Sequence, residues 1–247
     1  MNHNSRNFIR ALASSALFSF SLATVASGVP AFAQMGAAGQ SGMLQQKLAE
    51  VKASTAENQQ KLHQYTWTET SVITINGNAK PPRQSTCSYG PDGKVQKVPI
   101  GAAPAPASNG GGRFKQRIVE KKTAEMKDYM QQVGGVIALY VPPNPAKMQQ
   151  AFQDHKVSLD RTAGMVNLVF KDYALPGDSM TVSFDPASKK IRTLNVKSYL
   201  DNPQDGVTLA VQFATLPDGT NHPAQTTLDA QAKGIHVVNT NSDYRKM

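Results

Sequence analysis

Histidine, cysteine and carboxylate side chains carry most enzymatic and metal chemistry, and in this 247-residue chain they are scattered. The five histidines stand at 3, 63, 155, 222 and 236, with no His-Glu-x-x-His and no close pair, so their spacing offers no metal site. His155 on a helical stretch and His236 in a final strand read as ordinary half-buried or edge side chains. No Gly-x-Ser-x-Gly elbow occurs, and no two carboxylates are spaced to act together within one element, so a hydrolase would lack a nucleophile with its base. Gly110-Gly111-Gly112 precedes a helical stretch, where a phosphate cradle would stand, but Gly-Lys-Ser/Thr is missing and a surface linker is the simpler reading. The single cysteine, Cys87, excludes an internal disulfide and reads as a small buried hydrophobe, because no sequence neighbour is placed to lower its pKa. The expectation is a protein with no catalytic residue, no metal and no cofactor.

Two other sets of side chains recur at a spacing that could bind something. Arg113, Lys115, Arg117, Lys121 and Lys122 crowd the start of a helical stretch. Their plain reading is a solvated face; their functional reading is a dock for anionic headgroups or an acidic partner. Cations at a helix N-terminus oppose the macrodipole at about a few tenths of a kcal/mol each, which favours a compensating role. The second set is aromatic and sulfur-bearing: Trp67, Phe114, Met126, Tyr129, Met130, Tyr140 and Phe152. Core packing is the plain reading of such a stripe, and a cavity for an apolar ligand is the functional one, since methionine adapts to irregular contents.

The elements that must position these residues follow from periodicity. Residues 34–42, rich in Gly, Ala, Gln and Ser, suggest a frayed leader. Leu44, Leu48, Val51, Leu62 and Tyr65, with Thr55 and Asn58 at the intermediate steps, predict a helix over 43–62. The period then changes to two: a strand from Tyr65 to Ile75 ends at Asn76-Gly77, and strands over 83–89 and 94–98 flank Gly90-Pro91-Asp92-Gly93. Residues 101–112 form a flexible Pro/Ala/Gly loop. Phe114, Ile118, Met126, Tyr129, Met130, Val133, Ile137 and Tyr140 predict a long helix with a hinge at Gly134-Gly135, stopped at Pro142-Pro143-Asn144-Pro145. A shorter helix from Pro145 carries Met148, Phe152 and His155 on one side.

Six strands then follow, over 164–171, 179–185, 190–200, 206–216, 224–232 and 235–241, most of them separated by turn residues. With no helix between them they must pair as an antiparallel meander. One face collects Val166, Leu168, Phe170, Met180, Val182, Phe184, Leu194, Val196, Leu200, Val207, Leu209, Val211, Phe213, Ile235 and Val237, and the other is polar. That dry face needs a cover, and the apolar helices at 43–62 and 113–157 supply it. The expected fold is therefore α+β: a large, curved antiparallel sheet of about nine strands covered on its concave face by helices, in one domain over 34–247.

Residues 1–33 read as a cleavable signal peptide: Arg6 and Arg10 without acids, an apolar run around Leu17, Phe18, Phe20 and Leu22, then Ala31-Phe32-Ala33. The run is broken by serines and shorter than the roughly 20 residues a spanning helix needs, so the mature protein is expected in the periplasm, or secreted. Without Arg6 and Arg10 the mature chain keeps 24 basic residues against 17 acidic, a formal charge of +7 that suits an anionic membrane surface or an acidic envelope protein. Nucleic acid is not expected, because export separates the chain from it and no basic-aromatic RNA-reading motif occurs among 7% aromatic residues.

The order of elements, with strands that begin at Tyr65-Thr66-Trp67, a helical middle and a long meander, resembles the LolA/LolB lipoprotein-carrier superfamily. Tyr89-Gly90-Pro91-Asp92-Gly93-Lys94, Pro176-Gly177-Asp178-Ser179 and Phe184-Asp185-Pro186 are similar to hairpins of exported proteins of that type. The resemblance implies a half-open barrel, lidded by helices, that receives acyl chains. The resulting expectation is a non-enzymatic carrier or binding protein for a lipid-like or acylated ligand. The alternative is a structural or interaction subunit of the envelope with a filled core.

Overall fold

The structure, a computed structural model, describes residues 35–101 and 113–247. The signal segment and most of the 101–112 loop lie outside the described residues. Helix α1 (Met35–Leu62) leads into β1 (Tyr65–Ile75), the two-residue β2 (Asn78–Ala79), β3 (Arg83–Tyr89) and β4 (Val95–Ile100). Helices α2 (Arg113–Ile137) and α3 (Pro145–Gln153) follow. The chain ends in β5 (Val157–Thr162), β6 (Met165–Lys171), β7 (Ser179–Asp185), β8 (Lys190–Tyr199), β9 (Gly206–Thr215), β10 (Asn221–Ala230) and β11 (Ile235–Lys246).

All eleven strands belong to one open, curved antiparallel sheet in the order β4-β3-β1-β11-β10-β9-β8-β7-β6-β5, with β2 paired to β1 off this path. The predicted meander is present, and the N-terminal strands join it through β1, which pairs with the last strand. The turn at Asn76-Gly77 has positive φ at both residues (49° and 77°), the signature of a tight primed hairpin, and it joins β1 to β2. Beside it, Gly234 (φ 54°) donates no side chain: a Cβ there would stand 2.3 Å from Asn76 Oδ1.

The predicted dry face is the core. Leu168, Phe170, Met180, Phe184, Val196 and Val207 are completely or almost completely buried, each burial stabilising by roughly 1.5–3 kcal/mol. The C-terminal half of α2 covers them with Tyr129, Val133 and Ile137, followed by Tyr140, and α3 adds Ala151, Met148 and Phe152. Asn144 caps α3, its Oδ1 accepting from the amides of Ala146 (2.9 Å) and Lys147 (3.2 Å), with Pro145 as the first helical residue. Helix α1 is pinned at its C-terminal end, where Asn58 donates to the Asn221 carbonyl (2.6 Å) and accepts from the Asn221 amide (2.5 Å).

Several expectations are corrected. Helix α1 begins at Met35, so 35–42 are helical and not a frayed leader. No hinge interrupts α2 at Gly134-Gly135, because Val133 and Ile137 on either side are both held in the core. Helix α3 stops at Gln153, and His155 lies beyond it at φ 55°, not on its side. Eleven strands replace nine: β2 and the edge strand β5 are additional, β10 starts at Asn221 and β11 runs on to Lys246. Among the described residues no helix is long and apolar enough to cross a membrane.

Candidate functional site

On β1 the side chains of Tyr65, Trp67, Glu69, Ser71, Ile73 and Ile75 point alternately to the inner face, and the register aligns them with β11. Ile75 stands opposite Ile235 and Ile73 opposite Val237, which makes an apolar floor. One step further, Ser71 stands opposite Asn239 on one side and Arg83 of β3 on the other. Above this floor runs α2, whose Val119, Met126 and Met130 recur at helical spacing, with Lys122, Thr123 and Lys127 on the same stripe.

Between helix and floor lies a cavity of about 540 Å³ lined by these residues. Its volume falls within the roughly 300–1,000 Å³ of small-molecule sites. Ile73, Met126 and Met130 are only partly buried, unlike the filled core alongside. The polar lining has two parts. Ser71 and Asn239 are buried, and Asn239 Oδ1 has no hydrogen-bond partner among the described residues. Arg83, Lys122 and Lys127 are exposed cations on the wall.

Of the side chains singled out in the sequence, Met126, Met130 and Lys122 are brought together here. The others stand elsewhere. Trp67 belongs to a separate cluster with Cys87 and Val95, its ring stacked on Tyr244 at 5.5 Å. Tyr129 is buried in the main core, where its hydroxyl donates to Asp205 (3.0 Å); burial first, and that bond second, push its pKa up to about 12. Tyr140 is fully buried, with its hydroxyl donating to Asp178 and 2.8 Å from Ser198 Oγ, and burial raises its pKa further still. Phe152 packs on the core from α3. Arg117 and Lys121 are exposed, and Lys121 lies 4.0 Å from Glu125 one turn along. The side chains of Arg113, Phe114 and Lys115 lie outside the described residues.

Sequence reasoning missed Arg83, Ser71 and Asn239. Each is unremarkable in its own strand, and only the pairing of β3, β1 and β11 sets them in one row. It also missed a buried ion pair: Lys97 Nζ donates to both oxygens of Glu69 (2.6 and 2.7 Å), joining β4 to β1 across β3. Cys87 lies beneath it, and burial first and Glu69 second push its thiol up to about 11, so it is protonated and unreactive at neutral pH. His222 packs on the Tyr244 ring at 4.1 Å, and burial lowers its pKa. His236 pairs with Asp229 (2.6 Å). Among the described residues no three His, Cys, Asp or Glu side chains are gathered to hold a metal ion.

No family model matches this sequence, and no curated protein matches it. Among solved structures, a DUF1329 family protein from Desulfovibrio piger is similar at a TM-score of 0.39 and 12% identity, covering 80% of this chain and 92% of that one. A likeness of that degree transfers neither ligand nor activity to this chain.

Proposed function

We propose that this protein is an exported, non-enzymatic carrier or binding protein for a lipid-like or acylated ligand, held in the cavity between α2 and the β1–β11 floor. The observation that carries the reading is the cavity itself, with apolar side chains above and below, beside a filled core. Two methionines on its roof suit a ligand of irregular shape. The signal-like segment at 1–33 supports export to the periplasm, and the order of elements, which resembles the LolA/LolB superfamily, supports an acyl cargo. The exposed cations of α2 suit delivery to an anionic membrane surface or an acidic envelope protein.

Native mass spectrometry of the exported protein, purified without detergent, tests this reading. Bound apolar molecules are expected, absent from Met126→Glu and Met130→Glu variants that still melt cooperatively. An empty protein that also refuses fluorescent fatty acids would sink it. The alternative, an envelope interaction subunit, draws on Val98 and Ile100 of β4, which stand 65% and 48% exposed on an edge strand where another chain could add.

A further inference from the structure

We infer that the cavity selects an amphiphile ending in an oxyanion, a carboxylate or a phosphate, whose head is held by the row Arg83–Ser71–Asn239 beneath Lys122. The inference rests on the reading of the cavity as a ligand site. The row is set by strand pairing: Arg83 opposite Ser71 and Ser71 opposite Asn239, on three neighbouring strands. Adjacent strands lie about 4.8 Å apart, so a guanidinium, a hydroxyl and an amide fall within reach of one small head group. All three line the cavity.

Two independent features point to a charged, hydrogen-bonding occupant. Asn239 and Ser71 are 6% and 7% exposed, neither side chain bonds to a described residue, and Asn239 Oδ1 is enclosed without a partner. An enclosed amide left in that state is costly, and a half-turn presents its Nδ2 as a donor. The second feature is charge. Arg83, Lys122 and Lys127 share the cavity wall, and none is ion-paired to a described carboxylate. Arginine's planar fork matches a carboxylate or phosphate with two parallel bonds, and Lys122 adds a compact charge from above.

The apolar tail has room. From Val119 to Met130 the roof stripe covers roughly 16 Å at about 1.5 Å per residue, over the floor of Ile73, Val237, Ile75 and Ile235. The head then lies at the Arg83 row and the tail runs toward Met130 and the filled core.

Calorimetric titration of the delipidated protein with laurate, dodecyl phosphate, dodecanol and inorganic phosphate tests this at low ionic strength. Laurate, dodecyl phosphate or both should bind about tenfold or more tighter than dodecanol, as expected of charge-assisted contacts in a partly enclosed site. The better of the two names the head, and inorganic phosphate alone should bind more weakly than either. The R83Q/K122Q variant should bring the anionic amphiphiles to within about twofold of dodecanol, and it should still melt cooperatively, since both side chains are exposed and outside the core. Equal binding of dodecanol and both anions by the native protein, or a preference that survives R83Q/K122Q, overturns the inference while leaving the apolar site intact. If no amphiphile binds a cooperatively folded protein, the cavity reading fails and the inference with it.

Discussion

The two halves of the sheet's inner face are built on the same alternation and finished differently. Across β5 to β10 the cross-strand rows are apolar, as in Val166–Phe184, Leu168–Val182 and Phe170–Met180, and every one of these side chains is buried. Asp178, enclosed there, is satisfied: it accepts from the Tyr140 hydroxyl and from the amides of Tyr173, Ala174 and Leu175, whereas Thr220 Oγ1 in the turn between β9 and β10 is enclosed without a partner among the described residues. Across β11, β1, β3 and β4 the rows are mixed, as in Asn239–Ser71–Arg83 and Asn241–Glu69–Ser85. In that half Trp67 Nε1, Asn239 Oδ1 and Asn241 Oδ1 are enclosed without partners among the described residues, and the cavity opens. Enclosed polar groups are almost always paired in a finished core, and three of the unpaired ones fall in the half where the cavity opens.

The largest expected effect breaks the finished half. Asp178→Ala leaves three amides of the β6–β7 loop without an acceptor and the Tyr140 hydroxyl with Ser198 alone, and at about 1–3 kcal/mol per orphaned donor the loss should reach about 5 kcal/mol. Urea unfolding measures it. A loss below about 1 kcal/mol would mean that water replaces the carboxylate and that this half is not closed as described.

A smaller effect sharpens the contrast directly. Leu168 is completely buried, so Leu168→Ala should cost about 2–5 kcal/mol through lost transfer energy plus the hole it leaves. Met126 already borders a void, so Met126→Ala should cost about 2 kcal/mol less than Leu168→Ala in ligand-free protein. Equal losses would show that the cavity wall is as tightly packed as the core. Adding ligand should stabilise the native protein more than the Met126 variant.

The finished half was the legible one. Strands β6 to β9 could be read from strict alternation, because residues two apart share a face and a core tolerates few exceptions. Strand β5 was not, since Val157-Ser158-Leu159-Asp160-Arg161-Thr162 offers two apolar residues on an exposed edge. The start of β10, Asn221-His222-Pro223, was missed because its buried residues are polar and break the hydrophobic pattern. In the candidate site, Met126 and Met130 were legible from helical spacing, and Lys122 from the clustering of charge at the start of α2. Arg83, Ser71 and Asn239 were not, because the partnership of the first long strand with the last one is not written in any local period. The residue type of Trp67 suggests a cavity wall, yet it stands two inner-face positions before Ser71 and fills a small aromatic cluster of its own.

The two halves are tied together by a bond whose effect should be the smallest and the most specific. Tyr65, at the start of β1, donates to Asp218 Oδ2 (2.6 Å) in the turn between β9 and β10. That hydrogen bond first, and the Thr220 amide second, hold the Asp218 carboxyl near 2, below its ordinary 3.8. A carboxyl depressed by folding favours the native state when ionised, so its contribution is complete above 3.8 and fades as the pH falls through about 2. Asp185 is also held near 2, but by Ser188 and Ala187 within its own turn, so it supplies an acid limb that does not involve the junction. Tyr65→Phe should therefore lower the melting temperature slightly at neutral pH and make its fall below pH 3.8 shallower, without abolishing the fall. Parallel acid limbs for the native protein and Tyr65→Phe would show that Asp218 is held by its own turn alone, and that the open half is not anchored to the finished one through this bond.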